Sequence, residues 1–307
     1  MQITRRNLIL GATAIGAGGM LPLRPSFGAT QIDMGGLRID TVSDGNLVLP
    51  ADFLLGGDVP LSEIAPVLER NNISPDQLTP PCNVTLLRDG TNTVLFDVGS
   101  GQDFMPSAGK LLETLEALDV TPEDVTHVVF THGHPDHIWG LLDDFDDPTF
   151  PEAEYLMGRV EFDYWMDPDT VNTISEGRVT FAVGAKRRLE AIDGQISFFE
   201  DGAEILPGVA AQATFGHTPG HMAFELRSGN QSAMLVGDAI VNHHVGFERP
   251  ELPSGSDQDQ DMGIATRMAL LDQLASQQVP MIGFHLPNGG VGRAERHDNS
   301  YRFVPEV

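Results

Sequence analysis

His132-Gly133-His134-Pro135-Asp136-His137 follows directly on the apolar run Val128-Val129-Phe130. An extended run that ends in a turn sends alternate side chains apart. His132 and His134 can then share one metal ion while Asp136 and His137 turn towards a second. Neutral imidazole suits zinc, and a carboxylate adds charge neutralisation. The chain has ten histidines in 307 residues. Three of them crowded beside an aspartate at this spacing read as a metal site, not as a polar loop.

Each ion needs about four protein or water ligands, and three later stretches offer them. Gly216-His217-Thr218-Pro219-Gly220-His221 is a punctuated turn after the strand-like stretch Val209 to Thr214. Leu235-Val236-Gly237-Asp238 ends an apolar run with an acid, and Ile282-Gly283-Phe284-His285-Leu286-Pro287 does so with a histidine. Each candidate sits where a strand meets a loop, so one sheet edge can gather them all.

Taken together, H-x-H-x-D-H, G-H-T-P-G-H, G-D and H-L-P resemble the metallo-β-lactamase superfamily over nearly the whole chain beyond residue 29. Within it the likeness is to the methyl parathion hydrolase branch, through Val42-Ser43-Asp44-Gly45, Leu49-Pro50-Ala51-Asp52 and Tyr301-Arg302-Phe303-Val304-Pro305. The resemblance implies an α+β fold, the four-layer αβ/βα sandwich, carrying two Zn2+ per chain. On that pattern His132, His134 and His217 would hold one ion, and Asp136, His137 and His285 the other. Asp238 would bridge them together with a nucleophilic hydroxide, which makes Asp136 and Asp238 the catalytic carboxylates. The chemistry also stands on its own terms. A carboxylate can span ions about 3.5–4 Å apart, and two dications bring a shared water towards ionisation near neutrality. Asp97 would orient one ligand from behind, although an acid ending a strand also reads as a turn residue. His221 is expected in the turn or behind the ligands, and His127 in a structural role. His243 and His244 either rim the pocket or lie in a solvated loop, and His297 reads as surface.

The resemblance places Phe104, Trp165 and Phe181 as an aromatic lining for the substrate. Val241 stands where lactonases of the superfamily that open acyl-homoserine lactones often carry a tyrosine. The expected reaction is therefore hydrolysis of small aryl esters or phosphotriesters, with acyl-homoserine lactone hydrolysis as the alternative. A non-catalytic periplasmic metal binder is disfavoured, because structural zinc sites prefer closed four-ligand shells. The family likeness also implies a homodimer.

Residues 1–29 carry Thr4-Arg5-Arg6-Asn7-Leu8-Ile9, then a glycine- and alanine-rich apolar run, then Ser26-Phe27-Gly28-Ala29. This resembles a twin-arginine export signal, which implies the twin-arginine machinery as partner and a periplasmic or secreted enzyme. Its apolar core is too short for a stable membrane anchor. Cys82 is the single cysteine, so no intramolecular disulfide forms. The net charge is −26, with 18 bases against 44 acids. Removing Arg5, Arg6 and Arg24 with the signal leaves 15 bases and a net charge of −29. Such a surface repels phosphate backbones and excludes nucleic acid as a partner. The acidic runs 143–147 and 257–261 read as solvated loops or helix starts.

Residues 30–307 form one hydrolase domain in this reading. Strands are expected at Leu37 to Val42 and 47–49 about an Asp44-Gly45 turn, and at Asn83 to Leu87 and Thr93 to Phe96 as a hairpin. Further strands are expected at Val125 to Phe130, between Ile196 and Asp238, and at Met281 to His285. Leu111, Leu112, Leu115 and Leu118 make a helical stripe. Further helices are expected between Arg159 and Ile192 and around Met262 to Gln277.

Overall fold

The computed structural model describes residues 30–55 and 59–306; the expected export signal over residues 1–29 lies outside them. In chain order, β1 (Thr30–Asp33) and β2 (Arg38–Asn46) open the first sheet, and β3 (Leu49–Pro50) pairs with β4 (Gln77–Leu78) in a separate ribbon. The first sheet continues with β5 (Pro81–Arg88), β6 (Thr93–Phe96), β7 (His127–Phe130), β8 (Glu154–Gly158) and β9 (Ile196–Phe199). Its seven strands lie in the order β1-β2-β5-β6-β7-β8-β9, antiparallel as far as β6 and parallel from β6 to β9.

The second sheet takes β10 (Glu204–Leu206), β11 (Val209–Ala213), β12 (Met222–Ser228), β13 (Gln231–Gly237), β14 (Met281–Gly283), β15 (Val291–His297) and β16 (Ser300–Pro305) in sequence order. All its pairs are antiparallel except β13 with β14.

Period-two side-chain alternation explains why the sheets stack. In β7, Val129 faces a core that also takes Phe96, Leu156, Phe224, Leu235 and Ile282 from both sheets, while Val128 and Phe130 join the opposite core. That opposite core packs Leu115, Ala182, Ala185 and Leu189 of the helices Leu111–Ala117 and Val179–Ala191. On the far side Met234 and Val236 of β13 meet Leu270, Leu271 and Leu274 of the helix Gln260–Gln277. Helix, sheet, sheet, helix is the four-layer sandwich, with each fully buried aliphatic or aromatic side chain contributing about 1.5–3 kcal/mol. Among the described residues, no helix is long and apolar enough to cross a membrane.

One expected turn is absent. Asp44-Gly45 lies inside β2 as an irregularity in its pairing with β5, with Gly45 at φ 100°. A Cβ there would stand 2.2 Å from the Ser107 carbonyl oxygen. The fully buried Asp44 carboxylate accepts the backbone N–H groups of Ser100 (2.8 Å), Gly109 (3.2 Å) and Leu111 (2.9 Å). It ties the loop that carries Phe104 to the strand.

Candidate metal centre

The chain leaves β7 at Phe130, and Pro135 opens the short helix Pro135–Ile138 with His134 as its N-cap in extended conformation. Proline is suited to that first helical position because its missing N–H would be unpaired anyway. Two extended residues followed by one helical turn send His132 and His134 to one side, and Asp136 and His137 to the other. Nε2 of His132 lies 3.1 Å from Nδ1 of His134, which lies 2.9 Å from Nε2 of His217. These three buried imidazoles form one donor group, and Asp136, His137, Asp238 and His285 form a second.

Asp238 belongs to both neighbourhoods. Its Oδ2 is 3.2 Å from Nε2 of His285 and 3.4 Å from Nε2 of His217, and its Oδ1 is 3.4 Å from Nε2 of His137. Oδ2 of Asp136 is 3.1 Å from Nε2 of His285. One carboxylate thus stands between the groups, as a bridging ligand would.

The opposite ring nitrogens are engaged, and this sets the tautomers. Asp97 Oδ2 accepts from Nδ1 of His137 at 2.8 Å. Thr131 Oγ1 donates to the same oxygen at 2.8 Å and lies 2.9 Å from Nδ1 of His132. The Pro81 carbonyl faces Nδ1 of His285 at 2.8 Å, and Asp257 Oδ1 faces Nδ1 of His217 at 3.3 Å. With Nδ1 donating outward in each ring, the Nε2 lone pairs of His132, His137, His217 and His285 are free for a cation. His134 is reversed, with Nδ1 inward and Nε2 3.3 Å from the Gln258 amide.

The electrostatics ask for positive charge. Asp136 Oδ2, Asp238 Oδ1 and His137 Nε2 are buried and make no directed hydrogen bond among the described residues, which is costly unless an ion completes them. Burial pulls the His137 imidazole down, yet Asp238, Asp136 and Asp97 outweigh it and hold it up at about 10. His285 is likewise raised against its burial, chiefly by Asp238. Burial and neighbouring imidazoles push His132 and His134 well below their ordinary value. Three imidazoles beside two carboxylates and two further imidazoles fit two divalent transition-metal ions.

His134, Asp136, His217, Asp238 and His285 form the floor of a cleft of about 250 Å³. Its walls carry Leu47, Leu49, Phe53, Phe104, Phe181 and Val241, and the described lining includes no lysine or arginine. The Phe104 and Phe181 rings meet edge to face at 6.2 Å. Trp165 requires a correction. It is 1% exposed and lies behind Gly133, donating from Nε1 to Glu161 Oε1 at 2.6 Å. It supports the ligand loop and does not line the cleft, because the helix Arg159–Met166 turns its indole inward.

His221 sits behind the centre. Its Nε2 accepts the backbone N–H of Asp238 at 2.9 Å and its Nδ1 faces Thr214 Oγ1 at 2.8 Å. Burial and His217 push it down to about 3, so it remains neutral. His243 and the buried His244 line a neighbouring cleft that also reaches His285. Asp257 also departs from expectation: it is 6% exposed, facing His217 and accepting from Arg267 Nη1 at 3.1 Å. Its run looks solvated by composition, and only the buried arginine ten residues later signals otherwise. Thr131 and Glu161 were likewise missed, since nothing in their local pattern marks them as site residues.

The comparisons with known proteins agree on the family and the fold. A family model described as the metallo-beta-lactamase superfamily matches residues 79–275. AidC, described as a dizinc quorum-quenching lactonase in complex with a homoserine product, superposes with a TM-score of 0.85 at 25% identity, covering 91% of this chain and 98% of its own. Hydrolase AbOPH of the beta lactamase superfamily superposes at 0.83 with 26% identity over 91% and 98% of the two chains. Among sequences, the uncharacterized protein Rv2581c of Mycobacterium tuberculosis is 28% identical over 200 residues, 62% of this chain and 80% of its own length. With two His/Asp donor groups at the mouth of a four-layer sandwich and a family match over most of its length, the chain belongs to the metallo-β-lactamase superfamily of metal-dependent hydrolases.

Proposed function

We propose that the chain is an exported dinuclear zinc hydrolase of uncharged esters, with aryl esters and phosphotriesters as the preferred class. The observation that carries this reading is Asp238, a carboxylate between two donor groups at the floor of an apolar cleft. When bound, the two ions would supply Lewis acidity and acidify a shared water. Asp136 lines the cleft with an oxygen free of any directed hydrogen bond, and with His137 and His285 it would help hold one of the ions. Phe104, Phe181 and their aliphatic neighbours would bury the substrate's apolar part and exclude water, which strengthens every charge interaction below them. Among the described residues the walls above the ions carry no lysine or arginine to pair with an anionic group, which favours an uncharged, apolar substrate body. The Arg5-Arg6 leader supports export.

A second reading, acyl-homoserine lactone hydrolysis, is favoured by the likeness to AidC. Such a substrate is also uncharged, and its acyl chain would fit the same walls. Against it, Val241 offers no hydroxyl to a developing oxyanion. A hydrolysis panel of aryl esters, phosphotriesters and acyl-homoserine lactones, run on protein of measured metal content, decides between them. The first reading expects the highest kcat/KM for an aryl substrate. Highest kcat/KM for a homoserine lactone would replace it by the second.

A further inference from the structure

Glu161 is fully buried at the start of the helix Arg159–Met166, and among the described residues none of its hydrogen-bond partners is a cation. Its Oε1 accepts the Gly133 N–H at 2.8 Å and the Trp165 Nε1–H at 2.6 Å. Its Oε2 accepts the Thr218 hydroxyl at 2.7 Å and the Gly220 N–H at 2.9 Å. Gly133 lies between His132 and His134, and Thr218 directly follows His217. One carboxylate therefore grips the first-sheet loop and the second-sheet loop that together supply the three-imidazole donor group. Both approaches depend on glycine. A Cβ at Gly133 would lie 2.4 Å from Trp165 Nε1, and one at Gly220 would lie 2.2 Å from the Glu161 backbone nitrogen.

We propose that Glu161 is a positioning residue that sets the spacing of the His132–His134–His217 group and so determines its metal affinity. The inference rests on the dinuclear reading above. The other donor group has its own supports, Asp97 behind His137 and the Pro81 carbonyl behind His285, and does not touch this carboxylate. Glu161→Gln keeps the shape but turns one acceptor into a donor that faces at least one obligate donor, the Gly220 N–H, even if the Thr218 hydroxyl rotates to accept. The loops must then separate on that side, and loss of such a supporting partner weakens metal affinity ~10–100-fold.

The test is titration of metal-stripped protein with zinc against a chromophoric chelator, with cobalt(II) spectra to distinguish the two sites. Wild type is expected to bind two ions. Glu161→Gln should keep one with unchanged affinity and bind the other ~10–100-fold more weakly. Thr218→Val, a milder change that removes one bond of the four, should weaken the same site in the same direction. A purely structural role would lower the melting temperature and leave both affinities alone, and that result overturns the proposal. Should Glu161→Gln fail to fold, unchanged affinities in Thr218→Val overturn it equally. A wild type that binds fewer than two ions overturns the dinuclear reading, and this one with it.

Discussion

Gly133 has no room for a side chain, since an added Cβ would stand 2.4 Å from the indole nitrogen of the buried Trp165. Gly133→Ala should therefore cost about 1–3 kcal/mol by overpacking, read as a lowered melting temperature, with metal binding weakened because the residue separates two donor imidazoles. Trp165→Phe removes the hydrogen bond to Glu161 without opening the cleft. It should lower stability by about 1.5–3 kcal/mol, because the buried Glu161 carboxylate loses one of its four hydrogen bonds. The ratio of KM for an aryl ester to KM for an alkyl ester should not move. Phe181→Ala should raise that ratio, since Phe181 lines the cleft and an aromatic contact adds about 0.5–1.5 kcal/mol beyond its area. Steady-state kinetics on both variants checks the assignment, and a changed ratio in Trp165→Phe alone would return the indole to the substrate. Asp238→Ala takes a carboxylate from both donor groups. It should lower metal content and cut kcat at least ~10²-fold, as loss of several kcal/mol of charge stabilisation requires. Near-normal kcat in metal-depleted Asp238→Ala would contradict the shared-carboxylate geometry.

The short helix Val245–Glu248 is capped by His244, whose Nδ1 accepts the Val245 N–H at 2.9 Å. Burial, with a further push from His243, takes this imidazole down to about 3, so the folded chain keeps it neutral where an unfolded chain would protonate it. A depressed folded value means that stability is complete above about pH 6.5 and is lost as pH falls from there towards about 3. One such group sets a slope of at most about 1.4 kcal/mol per pH unit. His244→Asn retains a capping oxygen and should flatten the fall of melting temperature between pH 6.5 and 4; an unchanged slope would mean that His244 is already charged in the folded chain. Elements differ in how legibly the sequence announces them. β7 and the ligand turn after it were readable because alternation, a proline and clustered histidines coincide in one short stretch. The helix expected around Met262 to Gln277 starts at Gln260, and Asp259 of the acidic run caps it by accepting the Met262 N–H at 3.0 Å. Asp44-Gly45 was misread because a glycine inside a strand and a glycine in a turn look alike until the loop that crowds them is in place. Glu161 and Asp257 were illegible for a related reason. Their partners, Gly133 and Gly220 for one and Arg267 for the other, are joined to them only by the tertiary fold.

Across the whole molecule the donors divide by sheet. His132, His134, Asp136 and His137 follow β7 of the first sheet, while His217, Asp238 and His285 lie on loops of the second. Metal ions at the two groups would therefore cross-link the halves of the sandwich as well as serve chemistry. Removing them leaves buried acceptors without directed partners in a chain of net charge −26, whose self-repulsion already opposes compactness. Chelation should consequently lower the melting temperature, and zinc should restore it in a concentration-dependent way. Free zinc at a hundred times its dissociation constant would contribute about 2.7 kcal/mol per site. Salt should partly rescue the stripped chain by screening its acids, and should help the loaded chain less because two dications already offset the charge at the centre. Hydrogen exchange would locate the effect. Faster exchange on chelation is expected at residues 131–138, 214–221 and 238–244, where the loops face one another, with β12 and β13 protected as before. Uniform acceleration over both sheets would mean that the ions hold up the entire fold. An unchanged melting temperature after verified metal loss would mean that the two sheets dock on their shared apolar core alone, leaving the donor groups with a purely chemical role.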